Sequence, residues 1–65
     1  MTVQEIHGRV ESIRAHADDN ERAHADEDDL WRDVLRAIAA GHPEPQQLAE
    51  AAVKSTEIEF TRWHS

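Results

Sequence analysis

Residues 18–41 read DDNERAHADEDDLWRDVLRAIAAG, and the reading of this stretch decides the fold. Leu30, Trp31, Val34, Leu35 and Ile38 recur at steps of one, three and four, which places them along one side of an α-helix. That stripe is the expected core. Asp18 can cap the start of the helix, with Glu21 three residues on to complete a capping box, while Gly41 followed by Pro43 supplies the stop. The first turns are of another character, because Asp18, Asp19, Glu21, Asp26, Glu27, Asp28 and Asp29 crowd around one cation, Arg22.

Outward towards the start, Val3, Ile6, Val10, Ile13 and Ala17 are separated by three, four, three and four residues. The intervening Gln4, Glu5, Arg9, Glu11, Ser12 and Arg14 suit water, so this is an amphipathic helix. Gly8 lies inside it at a cost of roughly 1 kcal/mol against alanine, which a close helix contact on that side would offset. No proline or glycine stands between Arg9 and Ala40, so one continuous rod competes with a hairpin. A rod would carry Asn20, His24 and Glu27 into the first helix's apolar seam, and buried polar groups without partners are costly. Asp18-Asp19-Asn20 is a natural break, and the hairpin is preferred.

Outward towards the end, His42-Pro43 and Glu44-Pro45 read as a connection, and a third helix begins near Pro45. Leu48, Ala49, Ala52 and Val53 form its narrow apolar side. Thr56 and Glu59 have capping-box spacing, and Phe60 and Trp63 share a helical face, so the tail is expected to form a short helix. Ile58 and Phe60 also alternate as in a strand, for which the chain offers no second strand to pair with. The expected fold is therefore all-α, one domain over residues 1–65: helices at 2–17, 19–40 and 45–54, then a short aromatic helix at 57–63.

A 65-residue chain has a small core, and with no cysteine it has neither disulfides nor a Cys-based zinc site to reinforce it. Self-association is the usual remedy, so a homodimer is expected. Met1–Glu5 shows neither the basic start nor the apolar core of a signal peptide, and no apolar run approaches the ~20 residues of a membrane span. The expectation is a cytoplasmic protein without membrane contact. A net charge of −7 disfavours direct binding to nucleic acid and makes a basic protein surface the natural counterpart.

The pattern Glu21-Arg22-Ala23-His24, Glu27-Asp28 and Leu30, then Val34-Leu35, Ile38-Ala39 and Gly41, then Leu48-Ala49 and Ala52, and finally Ile58-Glu59-Phe60 with Arg62-Trp63, resembles small all-helical proteins of actinobacteria and their phages. The resemblance covers residues 5–64. It implies a phage or prophage setting and brings no activity with it. Such relatives are expected to carry a cysteine near the end where this chain has His64, a difference that weakens any redox or metal role for the tail.

Three sets of residues are candidates for function. On a helix, Glu21 lies three residues before His24, and Glu27 and Asp28 lie three and four after it, so Glu21, His24 and Asp28 could ligate a metal. The plainer reading is a histidine bonded to a neighbouring carboxylate. Asp26, Glu27, Asp28 and Asp29 could dock on a basic protein surface, or imitate a nucleic-acid backbone and so inhibit a host enzyme. The plainer reading is a solvated helix start, whose acids suit the positive end of the macrodipole. Phe60, Arg62 and Trp63 are of the types that carry interface energy, set against ordinary packing on Trp31. No Gly-rich phosphate loop, cysteine nucleophile or serine motif stands out, so neither an enzyme nor a cofactor is expected. The expected function is that of a non-catalytic interaction protein of phage type, binding a basic or apolar surface of a host or phage protein through the acidic helix start or the aromatic tail.

Overall fold

The computed structural model describes residues 1–62 as three helices and a short 3₁₀ turn, with no strand among them. The first helix, α1, spans Val3–Ala15; α2 spans Asn20–Ala39; α3 spans Pro45–Val53 and runs on into a 3₁₀ turn at Lys54–Glu57. Each pair of helices is in contact.

Local chemistry sets the boundaries. Thr2 caps α1 by accepting from the Glu5 N–H at 3.1 Å. The helix stops at His16, whose ring nitrogen Nδ1 bonds the Ser12 carbonyl at 2.8 Å, and the chain turns over residues 16–19. This reversal places α1 and α2 side by side, the hairpin expected from the Asp-Asp-Asn break. The cap of α2 is Asp19, not Asp18: its carboxylate accepts from the Arg22 N–H at 3.2 Å, and no capping box with Glu21 forms among the described bonds.

At the other end of α2, Gly41 takes φ +92°, a left-handed value open to glycine. Its N–H bonds the Ile38 carbonyl at 3.0 Å and the His42 N–H reaches back to Ala37 at 3.1 Å, the two bonds of a Schellman motif. The His42 ring then braces the connection. It accepts from the Glu44 N–H through Nδ1 at 3.0 Å, which leaves Nε2 to donate to the Met1 carbonyl at 2.8 Å. Pro45 opens α3 at the first helical position, where its missing N–H costs nothing.

The core is Ile6, Val10 and Ile13 from α1, Ala23, Leu30 and Val34 from α2, Leu48, Ala51 and Ala52 from α3, and Ile58 from the tail. Two expectations need correction. The apolar stripe of α2 divides: Leu30 and Val34 are buried, Trp31 and Ile38 are half-buried, and Leu35 is 66% exposed. The inward line of α2 is Ala23, Glu27, Leu30 and Val34, stepping four, three and four. Gly8, for its part, is exposed, and a Cβ built on it would meet nothing within 4 Å, so it serves no close helix contact.

The described part of the tail, through Arg62, is not helical beyond the 3₁₀ turn. Ile58 takes an extended conformation at φ −79°, ψ 127° and is buried, while the Thr56 hydroxyl donates back to the Val53 carbonyl at 2.7 Å in place of a capping box. Burying Ile58 requires the chain to leave the helical path here. The segment then crosses back to α2, where the Thr61 N–H donates to Asn20 Oδ1 at 3.2 Å.

Candidate functional site

The sequence candidates separate into those occupied within the chain and those open to a partner. Arg62 lies against the side of α2, where Nε and Nη2 donate to the two carboxylate oxygens of Glu27 at 2.9 and 3.2 Å. Nη2 also donates to the carbonyls of Ser55 at 2.8 Å and Ile58 at 2.7 Å. The guanidinium stacks over the Phe60 ring at 4.0 Å from its centroid. Glu27 is 1% exposed and Ser55 fully buried, and the Trp31 indole N–H donates to Ser55 Oγ at 3.1 Å. No buried side-chain polar atom is left without a bond among the described residues. A buried charge is tolerable only when it is paired and hydrogen-bonded, and Glu27 is both.

Glu27, Arg62 and Phe60 thus hold the tail to its own chain. Trp63 lies outside the described residues. Asp26, Asp28 and Asp29 remain on the outside of α2, each beside a nitrogen-bearing side chain of the same helix: Asp26 at 3.9 Å from Arg22, Asp28 at 3.4 Å from the His24 ring, and Asp29 at 3.2 Å from Arg32. They form a charge-laced helix surface. His24 therefore pairs with Asp28, and among the described residues no group of three or more histidine, cysteine or acidic side chains is placed to hold a metal ion. Arg9 of α1 reaches Asp33 of α2 at 2.9 Å. This bond, followed by the charges of Arg9 and Arg32, holds the Asp33 carboxyl below the ordinary value of 3.8, against an opposing desolvation.

The open surface lies elsewhere. Between α2 and α3 runs a groove of about 310 Å³ lined by Trp31, Leu35 and Ile38 on one wall and Ala49, Val53 and Thr56 on the other, with Val34 and Ala52 beneath. Among the described residues, Leu35, 66% exposed, and Val53, 59% exposed, are the large apolar residues left in water, and they stand on opposite walls. The groove continues around Leu35 onto the outer surface of α2, bounded by Asp28, Arg32, Arg36 and Ala39. Its depth has a local cause: Ala49 and Ala52 are too short to fill the space beside the bulky Trp31. The hollows that do contain ionisable groups mix both signs, as Arg9 and Arg22 do with Asp26 and Asp29.

Spacing alone puts Leu35 and Val53 in the core and Glu27 on the surface, and the structure places all three the other way round. A signal for Glu27 was present. Its spacing from Ala23 and Leu30 sets it in the inward line, and an acid in such a line calls for a cation from another segment, here Arg62. No helix of the described residues is long and apolar enough to cross a membrane. Comparison with protein-family models, with curated proteins and with solved structures finds no match to the chain.

Proposed function

We propose that this chain is a non-catalytic interaction protein whose working surface is the apolar groove between α2 and α3. The observation that carries this reading is the placement of Leu35 and Val53, exposed on opposite walls of one groove whose lining is otherwise apolar. Single exposed apolar residues are ordinary, but two that converge on a continuous apolar furrow have the form that receives a helix. Asp28 beside the groove, with Asp26 and Asp29 on the side of α2 towards α1, draws in a basic partner surface at longer range without forming the seat. Arg62, stacked on Phe60, contributes indirectly: it bonds the Ser55 carbonyl, and the Ser55 hydroxyl holds the Trp31 indole that forms one wall of the groove. The resemblance noted in the sequence adds the setting, a host or phage protein met in the host cytoplasm, with the chain acting as a homodimer.

The test is capture of a partner from host lysate by the wild-type chain and by two variants. Leu35→Asp is expected to abolish capture while helical circular dichroism is unchanged. Neutralising the acids together as D26N/D28N/D29N is expected to slow binding and reduce its salt dependence while capture persists. Capture that survives Leu35→Asp and disappears with the acid variant would overturn the groove and restore the acidic docking surface.

A further inference from the structure

At one height the two flanks of the groove carry opposite charge, Arg36 on α2 and Glu50 on α3, while further along the α2 border Arg32 is offset by Asp28. Arg36 stands on the α2 edge, and among the described residues its guanidinium makes no hydrogen bond or ion pair. On the α3 side, Glu50 is exposed three residues before Val53 and bonds only the amide of Gln46, at 3.1 Å. A foreign partner selected by charge would want one sign around the groove. Opposite signs on opposite edges instead make a surface complementary to itself when turned over.

Heights along the helices agree with this. The Trp31 indole bonds Ser55, and α3 runs back along α2, so each step forward on α2 is a step backward on α3. Arg36 then stands level with Glu50, and Leu35 lies within two residues, roughly 3 Å of helix rise, of Val53. Resting on the reading of this groove as a docking face, we propose that in the free protein its occupant is a second copy of this chain, which a captured partner displaces, packed about a two-fold axis that runs along the groove. Such an axis keeps height and exchanges the two sides, so α2 of one copy lies over α3 of the other. Leu35 meets the partner's Val53, the partner's Leu35 meets Val53, and the Arg36 to Glu50 contact forms twice at the rim. Trp31 and Ile38 are covered in the same step. The dimer is a four-helix layer in which the apolar area that a small core leaves open becomes its centre.

Sedimentation equilibrium of the full chain reads the proposal directly. The wild type is expected to be dimeric, and Leu35→Asp or Val53→Asp to be monomeric with helicity retained. R36E and E50R are each expected to weaken the dimer about tenfold, and the combined R36E/E50R to regain most of that loss, since rim charges act mainly through repulsion once reversed. The chain has no cysteine, so L35C and V53C introduce unique thiols. An equal mixture of the two variants under oxidised glutathione is expected to give the L35C to V53C heterodisulfide in preference to either homodisulfide.

A preponderance of the L35C homodisulfide, a combined charge variant no tighter than its parents, or a wild type monomeric at about 1 mM would each overturn the proposal. A monomeric wild type whose partner capture is still lost on Leu35→Asp would leave the docking face standing with another occupant. Capture unaffected by Leu35→Asp in a monomeric chain would remove both.

Discussion

The two sides of Trp31 make opposite use of their chemistry. On the inner side, the indole N–H meets Ser55, and beyond it lie a carboxylate, a guanidinium and two backbone carbonyls, polar groups held in a largely water-free space. On the outer side the ring faces Leu35 and Val53, apolar groups that stand in water. A rule that puts oil inside and charge outside fails about one helical turn to either side of Trp31, at Glu27 and at Leu35. The inner arrangement is complete as it stands, because every buried polar side-chain atom has a bond. The outer one is finished only by something that covers it. The contrast therefore separates the part of the molecule concerned with its own stability from the part available to a partner.

Substitution on the inner side should have the largest effect. Arg62→Ala leaves the Glu27 carboxylate buried without a counterion and frees the Ser55 and Ile58 carbonyls. The expected loss is about 2–3 kcal/mol by urea denaturation, below the usual range for a broken buried pair because the Arg62 side chain is one-third exposed. The double variant E27L/R62M removes both charges at similar volume and is expected to recover most of that loss. A paired charge is often no more stabilising than an apolar replacement, whereas half of one is costly. A single variant as stable as wild type would mean that the tail does not depend on this pair.

Much of this architecture was legible beforehand. The seam of α1, the break before Asn20, the stop at Gly41 and the start at Pro45 are local signals, and each acts through groups a few residues apart. What was not legible depends on distant residues. Whether Leu35 is covered depends on the size of residues 49 and 52, some fifteen positions away, and two alanines there leave it open. Whether the chain around Phe60 is helical depends on the burial of Ile58 and on Arg62, a cation that must reach Glu27, thirty-five residues back. Spacing along one element reveals its inward direction. It does not reveal which of two neighbouring lines a second element will cover.

The glycines offer a smaller comparison of the same kind. Gly41 is required by its positive φ, so Gly41→Ala is expected to cost about 1 kcal/mol. Gly8 is required by nothing nearby, and Gly8→Ala in mid-helix is expected to stabilise by up to about 1 kcal/mol. Thermal or urea denaturation of the two variants checks both signs, and a destabilising Gly8→Ala would point to a contact made by the exposed side of α1.

The smallest expected effect concerns the partly exposed pair that, among the described residues, joins two helices, Arg9 with Asp33, each side chain about one-third exposed. Because Arg9 holds the Asp33 carboxyl below 3.8 in the folded chain, the folded state binds fewer protons than the unfolded state as that group titrates. The stabilisation is therefore fully present above the ordinary carboxylate value and is lost as the pH falls through the lower folded value. Arg9→Leu removes the hydrogen bond and the adjoining charge together. It should return the Asp33 carboxyl towards 3.8 in a carbon-detected NMR titration and flatten the acid side of the stability profile, with little change near neutral pH because a pair this accessible to water is weak. The same variant should leave the Glu27 to Arg62 bonds intact, since the two pairs sit on different sides of α2 and share no partner. If Arg9→Leu lowered stability near neutral pH as much as Arg62→Ala does, the division between a bonded interior and a merely laced exterior would not hold.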